Sequence, residues 1–396
     1  VYAFNLKEKK ASERIHFPDE AANNEVAPGG AQAAFTMGQN LYIARSGAKD
    51  PVQLTRDSVD GIVNGVSVHR EEYGITKGTF WSPGGDLLAY YHKDESMVTT
   101  YELEDISTKP STFNTIRYPM AGQTSHHASV YVYDTRNGNT TRLQTGEPLD
   151  QYLTNVTWDE TQQWVYITVL DRKTENLKLM RYNAATGMPD RPLIEEHDAK
   201  YLEPEHPAHF LKTSPSMYIW WSERDGWTHL YLYDTKAGLI RPLCNGEWVV
   251  KEIIGMDPKE KSLFVEGTAT SARGTGAGAM ETQLYRIDIT NGKTYRLTKD
   301  AGTHHGLLDA SGKYLIDVWR SLPVPTRVQV INANDGGSMK TLLDAADPYA
   351  TYAHGTIEFL TVTGENDVPL NARLIKPSNF DSRKQYPVLV YLYNGP

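Results

Sequence analysis

Apolar and polar residues alternate with a period of two through most of the chain. The alternation recurs in one phrase: Val130-Tyr-Val-Tyr-Asp-Thr-Arg-Asn-Gly138 running on to Leu143, Leu230-Tyr-Leu-Tyr-Asp-Thr-Lys-Ala-Gly238 to Leu243, and Leu284-Tyr-Arg-Ile-Asp-Ile-Thr-Asn-Gly292 to Leu297. Each copy reads as an aromatic and β-branched strand, a tight turn and a short strand ending in Leu, with glycine supplying the positive φ of the turn. Looser copies begin at Val1, Leu41, Leu179 and Arg327, and a second strand-turn-strand element lies upstream of several: Phe80–Tyr90, Val156–Glu160 and Leu308–Leu315. Successive starts lie about 40 to 54 residues apart, except for about 89 between Leu41 and Val130. Four strands per unit at this period is the signature of a β-propeller. The pattern therefore predicts an all-β chain: a β-propeller of seven to eight four-stranded blades over residues 1–352. Ring closure is expected to borrow a strand from before Val1 or from Tyr352–Thr363. A pair of sandwiches fits the strand content but not the regular period, and no segment of ten residues carries a helical repeat.

The long interval, about 56–129, reads as an insertion in this ring, where specificity tends to reside. Within it Val66–Gly74 is expected to make one or two helical turns, and Thr99–Leu103 and Thr115–Tyr118 a strand pair. It also carries Glu71-Glu72. Neighbouring carboxylates at the end of a short turn converge on a primary ammonium, which donates three charge-assisted hydrogen bonds. Unpaired, they repel. A solvated surface turn is the competing reading.

At the far end, Asn371–Asp381 reads as a strand and a turn, and Tyr386–Pro396 as a strand dense enough in Val, Leu and Tyr to be buried on both faces, as in a parallel sheet. Residues 353–396 are thus expected to begin a second domain that continues beyond Pro396. Val1–Asn5 already reads mid-strand, so the natural N-terminus is expected upstream.

Composition narrows the classes. Hydrophobic residues at 39% and charged residues at 22% are ordinary for a globular protein. A net charge of −9 argues against a nucleic-acid partner and favours cationic ligands. No run approaches the roughly 18 apolar residues of a membrane span. The single cysteine, Cys244, excludes a disulfide framework or a Cys-based metal cluster and reads as a small buried hydrophobe.

Other candidate chemistry is weaker. Gly274-Thr-Gly-Ala-Gly278 looks like a phosphate loop, but a strand rather than a helix follows it, so a hairpin loop is the better reading. His126-His127, His304-His305 and His206-x-x-His209 lack an acidic partner set, and adjacent histidines on a strand point to opposite faces. No metal or cofactor is expected. No Gly-x-Ser-x-Gly occurs. The 24 Tyr and 8 Trp suit packing between blades more than a ligand groove.

Taken in order, Val68-His-Arg-Glu-Glu-Tyr73, Phe80-Trp-Ser-Pro83, Leu88-Ala-Tyr90, Arg117-Tyr-Pro-Met-Ala-Gly122 and the terminal Tyr386–Pro396 resemble the N-terminal propeller region of dipeptidyl peptidase IV-type serine peptidases, in the prolyl oligopeptidase superfamily. The resemblance spans essentially the whole chain. It implies that residues 353–396 are the first strands of a truncated α/β-hydrolase domain, and that Glu71 and Glu72 hold the free N-terminal amine of a peptide substrate, as a ruler for removal of X-Pro or X-Ala dipeptides. It further implies that Tyr393 donates to the oxyanion hole, while nucleophile, acid and histidine lie beyond Pro396, so that the chain alone is inactive. Tyr201, in Lys200–Phe210, falls where the family places a pocket wall. The family's carbonyl-gripping arginine would precede Val1, and Asn394-Gly-Pro stands where the family usually has Gly-Gly-Pro or Ala-Gly-Pro. The single cysteine suits a bacterial member, for which a periplasmic or secreted location is implied. The expected partners are peptides with a free N-terminus and the chain's own C-terminal hydrolase domain; full-length members dimerise. Two alternatives remain: tripeptide release by the same architecture, and a non-catalytic propeller scaffold.

Overall fold

The structure is a computed structural model that describes residues 1–269, 280–322 and 324–392. By contacts the chain divides into two compact units, Val1–Trp221 with Tyr231–Ile240, and Ser222–Leu230 with Arg241–Pro396. Nearly all of its described regular structure is antiparallel strand, with short 3₁₀ turns at His69–Glu71 and Glu365–Asp367.

In the first unit a hairpin, Tyr2–Asn5 with Lys10–Glu13, precedes a four-stranded sheet of Ala22–Val26, Gln32–Met37, Asn40–Arg45 and Val52–Gln53. A five-stranded sheet follows. Its central strand Leu87–Asp94 pairs on one side with His127–Asp134, which carries Thr140–Arg142, and on the other with both Ile62–Asn64 and Thr79–Trp81. A separate hairpin, Thr100–Asp105 with Thr112–Arg117, leaves this sheet between its strands. The next sheet orders Tyr152–Trp158, Trp164–Leu170, Asn176–Asn183 and Ile194–His197. Beyond it His209 and Phe210 pair antiparallel with Ile219 and Tyr218.

In the second unit two antiparallel groups lie in sequence: Val250–Met256, Ser262–Thr268, Thr282–Asp288 and Thr294–Arg296, then Thr303–Leu308, Tyr314–Arg320, Arg327–Asn332 and Ser338–Asp344. A single parallel pairing, Thr282 with Thr303, joins them into one sheet. Thr356–Thr363 and Pro369–Lys376 form a hairpin. No sheet closes on itself among the described residues.

The repeat has a physical basis. In five copies the closing Leu donates its N–H to the carbonyl of the residue that opens the phrase: Leu54 to Leu41, Leu143 to Val130, Leu193 to Leu179, Leu243 to Leu230 and Leu297 to Leu284, at 2.8–2.9 Å. Both ends of the three clearest copies are buried, and each buried side chain contributes about 1.5–3 kcal/mol through lost apolar exposure. Between them the turn closes by one local rule. Asp134, Asn183, Asp288 and Asn332 accept backbone N–H groups two residues on through their side chains. Gly138, Gly187, Gly292 and Gly336, four residues on, donate to the Asx carbonyl at positive φ.

The copy at Val1 is a strand-turn-strand hairpin, Tyr2–Asn5 with Lys10–Glu13. Two expectations need correction. Val66–Gly74 makes a single 3₁₀ turn, His69–Glu71, and its backbone is left-handed rather than right-handed. Tyr386–Leu392 forms no strand: it pairs with no described neighbour, and Leu389 and Tyr391 are more than nine-tenths exposed. A strand exists only through a ladder to a partner, however strong its propensity. Tyr393 and Gly274–Gly278 lie outside the described residues.

Candidate functional site

The double glutamate stands on the 3₁₀ turn that enters the five-stranded sheet. His69, Arg70 and Glu71 have φ of 53, 57 and 65°, Glu72 returns to extended backbone at φ −68° and ψ 163°, and Tyr73 is again left-handed at φ 55°. Left-handed non-glycine residues cost about 1–3 kcal/mol each and persist only where their surroundings over-determine them. Those surroundings are visible here. Glu71 and Glu72 donate backbone N–H groups to the carbonyls of Val68 and His69. The His69 N–H donates to Nε2 of His126 at 3.1 Å, and the Leu153 N–H donates to Nε2 of His69 at 3.3 Å. The His69 ring packs at 4.7 Å from His126 and edge-on to Tyr152 at 5.0 Å, and Tyr73 meets Tyr152 at 4.9 Å. Arg70 lies over the ring of Tyr118.

On this platform both glutamates are exposed. Ser67 Oγ donates to Glu71 Oε1 at 3.0 Å. Among the described residues no cation comes within ion-pairing distance of either carboxylate, although Lys93 is taken by Glu95 at 3.0 Å and Arg117 by Asp60. A cavity of about 290 Å³ opens beside the turn, lined by Glu71, Arg70, Lys93, Glu95, Arg117 and His126 among others. Cations outnumber acids there and Glu72 does not reach it, so an ammonium ligand fits the open side of the turn rather than this cavity. Burial pushes the Tyr73 hydroxyl up to about 12, with Tyr152 and Glu72 adding to the shift, so Tyr73 remains a neutral donor beside the pair.

The segment expected to form a pocket wall does reach the turn, through its backbone. The carbonyl of Glu205 closes on Gly74, Asn155 Nδ2 donates to the carbonyl of Pro204 at 2.6 Å, and Leu202 packs in the same apolar cluster as Tyr73. Tyr201 itself is exposed and no ring contact from it is found among the described residues. The next ring to do so is His206, stacked on Trp221 at 3.8 Å.

Sequence reasoning located the carboxylates but missed His69, His126, Tyr152 and Arg172, whose guanidinium lies over Tyr152. His126 is buried just before the strand His127–Asp134, whose first residue, His127, is half-buried. Nothing in the sequence tied His126 to a turn 57 residues earlier. His304, by contrast, is consumed by a buried hydrogen bond to Asp317, and Cys244 is buried with its thiol pushed up to about 12, chiefly by that burial.

Comparison with known proteins adds to this geometry. The family described as "Dipeptidyl peptidase IV (DPP IV) N-terminal region" matches residues 1–326. A protein of Pyrenophora tritici-repentis named "Probable dipeptidyl-aminopeptidase B" is 23% identical over 94% of this chain and 45% of its own length. An Emericella nidulans protein named "Probable dipeptidyl peptidase 4" is 23% identical over 94% of this chain and 50% of its own. The chain thus spans about half the length of the curated relatives it matches. Among solved structures, a Bacteroides ovatus protein described as a candidate dipeptidyl aminopeptidase IV is 35% identical, with a TM-score of 0.89, over 100% of this chain and 57% of that one. Porphyromonas gingivalis dipeptidyl peptidase 4 shares the fold at 23% identity, with a TM-score of 0.84, over 98% of this chain and 55% of that one.

Proposed function

The chain belongs to the family of dipeptidyl peptidase IV N-terminal regions, and from that premise we propose that it is the substrate-gating and amine-recognition part of a serine exopeptidase, with Glu71 and Glu72 as the receptor for the substrate's N-terminal ammonium. The observation that carries this reading is the pair of exposed carboxylates without a cation, on a turn whose strained backbone is locked by buried partners. A surface turn with no ligand gains nothing from such strain. An ammonium placed there gives each carboxylate a charge-assisted partner, worth about 1.5–3 kcal/mol per hydrogen bond.

In this reading the parent removes X-Pro or X-Ala dipeptides, the sheets are blades of a seven- to eight-bladed propeller, residues 353–396 begin the hydrolase domain, and Tyr393 aims at the oxyanion. Tyr201 serves as wall of the pocket, and the parent works in the periplasm or outside the cell as a homodimer. The chain alone turns over no peptide.

The test is recognition of the amine. Gly-Pro and N-acetyl-Gly-Pro are titrated while the backbone amide shifts of Glu71 and Glu72 are followed by NMR. Saturable shifts with the free amine, absent with the acetylated peptide and weakened about 10- to 100-fold by Glu71→Gln or Glu72→Gln, support the proposal. Equal response to both peptides favours the scaffold reading and rejects it.

A further inference from the structure

We infer that His69 and His126 are positioning residues for the double-glutamate turn, acting as neutral hydrogen-bond acceptors, so that protonation of either ring releases the turn. The inference deepens the amine-recognition reading and rests on it for its functional consequence.

Donor and acceptor bookkeeping carries the point. A backbone N–H can only donate, so Nε2 of His126, facing the His69 N–H, and Nε2 of His69, facing the Leu153 N–H, must both be bare. Each ring is therefore the neutral tautomer with its proton on Nδ1. An imidazolium has no lone pair to offer, and it would face an N–H with an N–H. Both rings are buried, at 4% and 6% exposure, and Nδ1 of His69 has no partner among the described residues, so neither can swing to a second acceptor without unpacking.

The groups that shift these rings press the same way. His126 faces Lys93, Arg172, His127 and Arg70; His69 faces His126, Arg172 and Lys93. Tyr152 packs on His69 and is covered by Arg172. Glu71, Glu95 and Arg117 line the adjoining cavity, but Glu95 is paired with Lys93 and Arg117 with Asp60. Burial first, and these cations second, hold His126 down to about 4 and His69 well below the ordinary histidine value. The sign follows: a histidine lowered on folding contributes stability that is complete above the unfolded value near 6.5 and is lost as pH falls towards about 4.

Protonation of Glu71 and Glu72 also weakens amine binding near pH 4, so the deciding measurement is hydrogen exchange at the two donated amides. Protection factors, corrected for intrinsic exchange, are followed at His69 and Leu153 from pH 7.5 to 4. The wild-type chain is expected to lose protection about 10-fold or more across this range, equivalent to one net hydrogen bond. His126→Gln keeps an acceptor that does not titrate, so protection at His69 stays high near neutral pH and falls less steeply than in the wild type, the remaining slope coming from His69. His126→Phe, or His69→Phe read at Leu153, loses it at every pH. Full protection in the Phe variants, or a His126→Gln slope as steep as wild type, overturns the inference. Should Phe variants not fold, the Gln variant against wild type decides by slope alone. Protection that behaves as expected while Gly-Pro affinity does not follow it supports the positioning role and rejects the amine reading.

Discussion

Gly74 and Glu205 are locked backbone to backbone: the carbonyl of Glu205 occupies the space where any side chain on Gly74 would begin, and Gly74 itself sits at φ +71°. This contact is how the 201–206 segment is fastened to the double-glutamate turn. Gly74→Ala should therefore be among the most damaging single changes near the site. A left-handed alanine costs about 1–2 kcal/mol and the clash about 1–3 more. Urea unfolding should show the combined loss in stability, and amine affinity should fall with it. A neutral Gly74→Ala would mean that the two segments do not meet.

Ser67 and Glu71 make a gentler prediction. Their hydrogen bond is exposed, so Ser67→Ala should leave global stability within experimental error. It frees one carboxylate rotamer, and affinity for a free-amine dipeptide is expected to fall by about 2- to 10-fold, the worth of one exposed hydrogen bond. Titration of Gly-Pro against the variant checks this.

Tyr91 should behave in the opposite way. Its hydroxyl, buried in the core, donates to the carbonyl of Leu153 at 2.8 Å, while the Leu153 N–H goes to His69. Tyr91→Phe leaves that carbonyl without its partner at a cost of about 1–3 kcal/mol. Chemical denaturation should report the loss, and protection of the Leu153 amide should drop because the residue is then anchored through its N–H alone and no longer through its carbonyl.

A pH effect is expected at a distance from the site. Asp309, in the turn before Tyr314–Arg320, has its carboxyl lowered to about 2 by the Ser311 hydroxyl first and then by the backbone N–H groups of Tyr314, Ser311 and Lys313. A carboxyl lowered on folding contributes stability that is complete above its unfolded value near 3.9 and is lost as pH falls through about 2. Denaturation midpoints between pH 5 and 2 should show this slope, and Asp309→Asn should flatten it.

Much of the fold was legible because it is written locally. An Asx residue with glycine four positions on closes the hairpin at Asp134, Asn183, Asp288 and Asn332, and the aromatic alternation on either side marks strands whatever lies around them. The strand pair in the insertion was read within a few residues of Thr100–Asp105 and Thr112–Arg117. Tyr386–Leu392 was misread because propensity speaks of a strand but not of its partner.

The candidate site divides along the same line. Adjacent charge is a sequence property, so Glu71-Glu72 and the chemistry of two neighbouring carboxylates were determined by the chain itself. The hand of the turn that carries them was not. A right-handed turn is the default for His69, Arg70 and Glu71, and what reverses it comes from 57 residues away in His126, 84 in Leu153 and the distant carbonyl of Glu205. Local preference opposes the observed backbone, so only tertiary contacts, which offset its strain with buried hydrogen bonds and packing, could decide it.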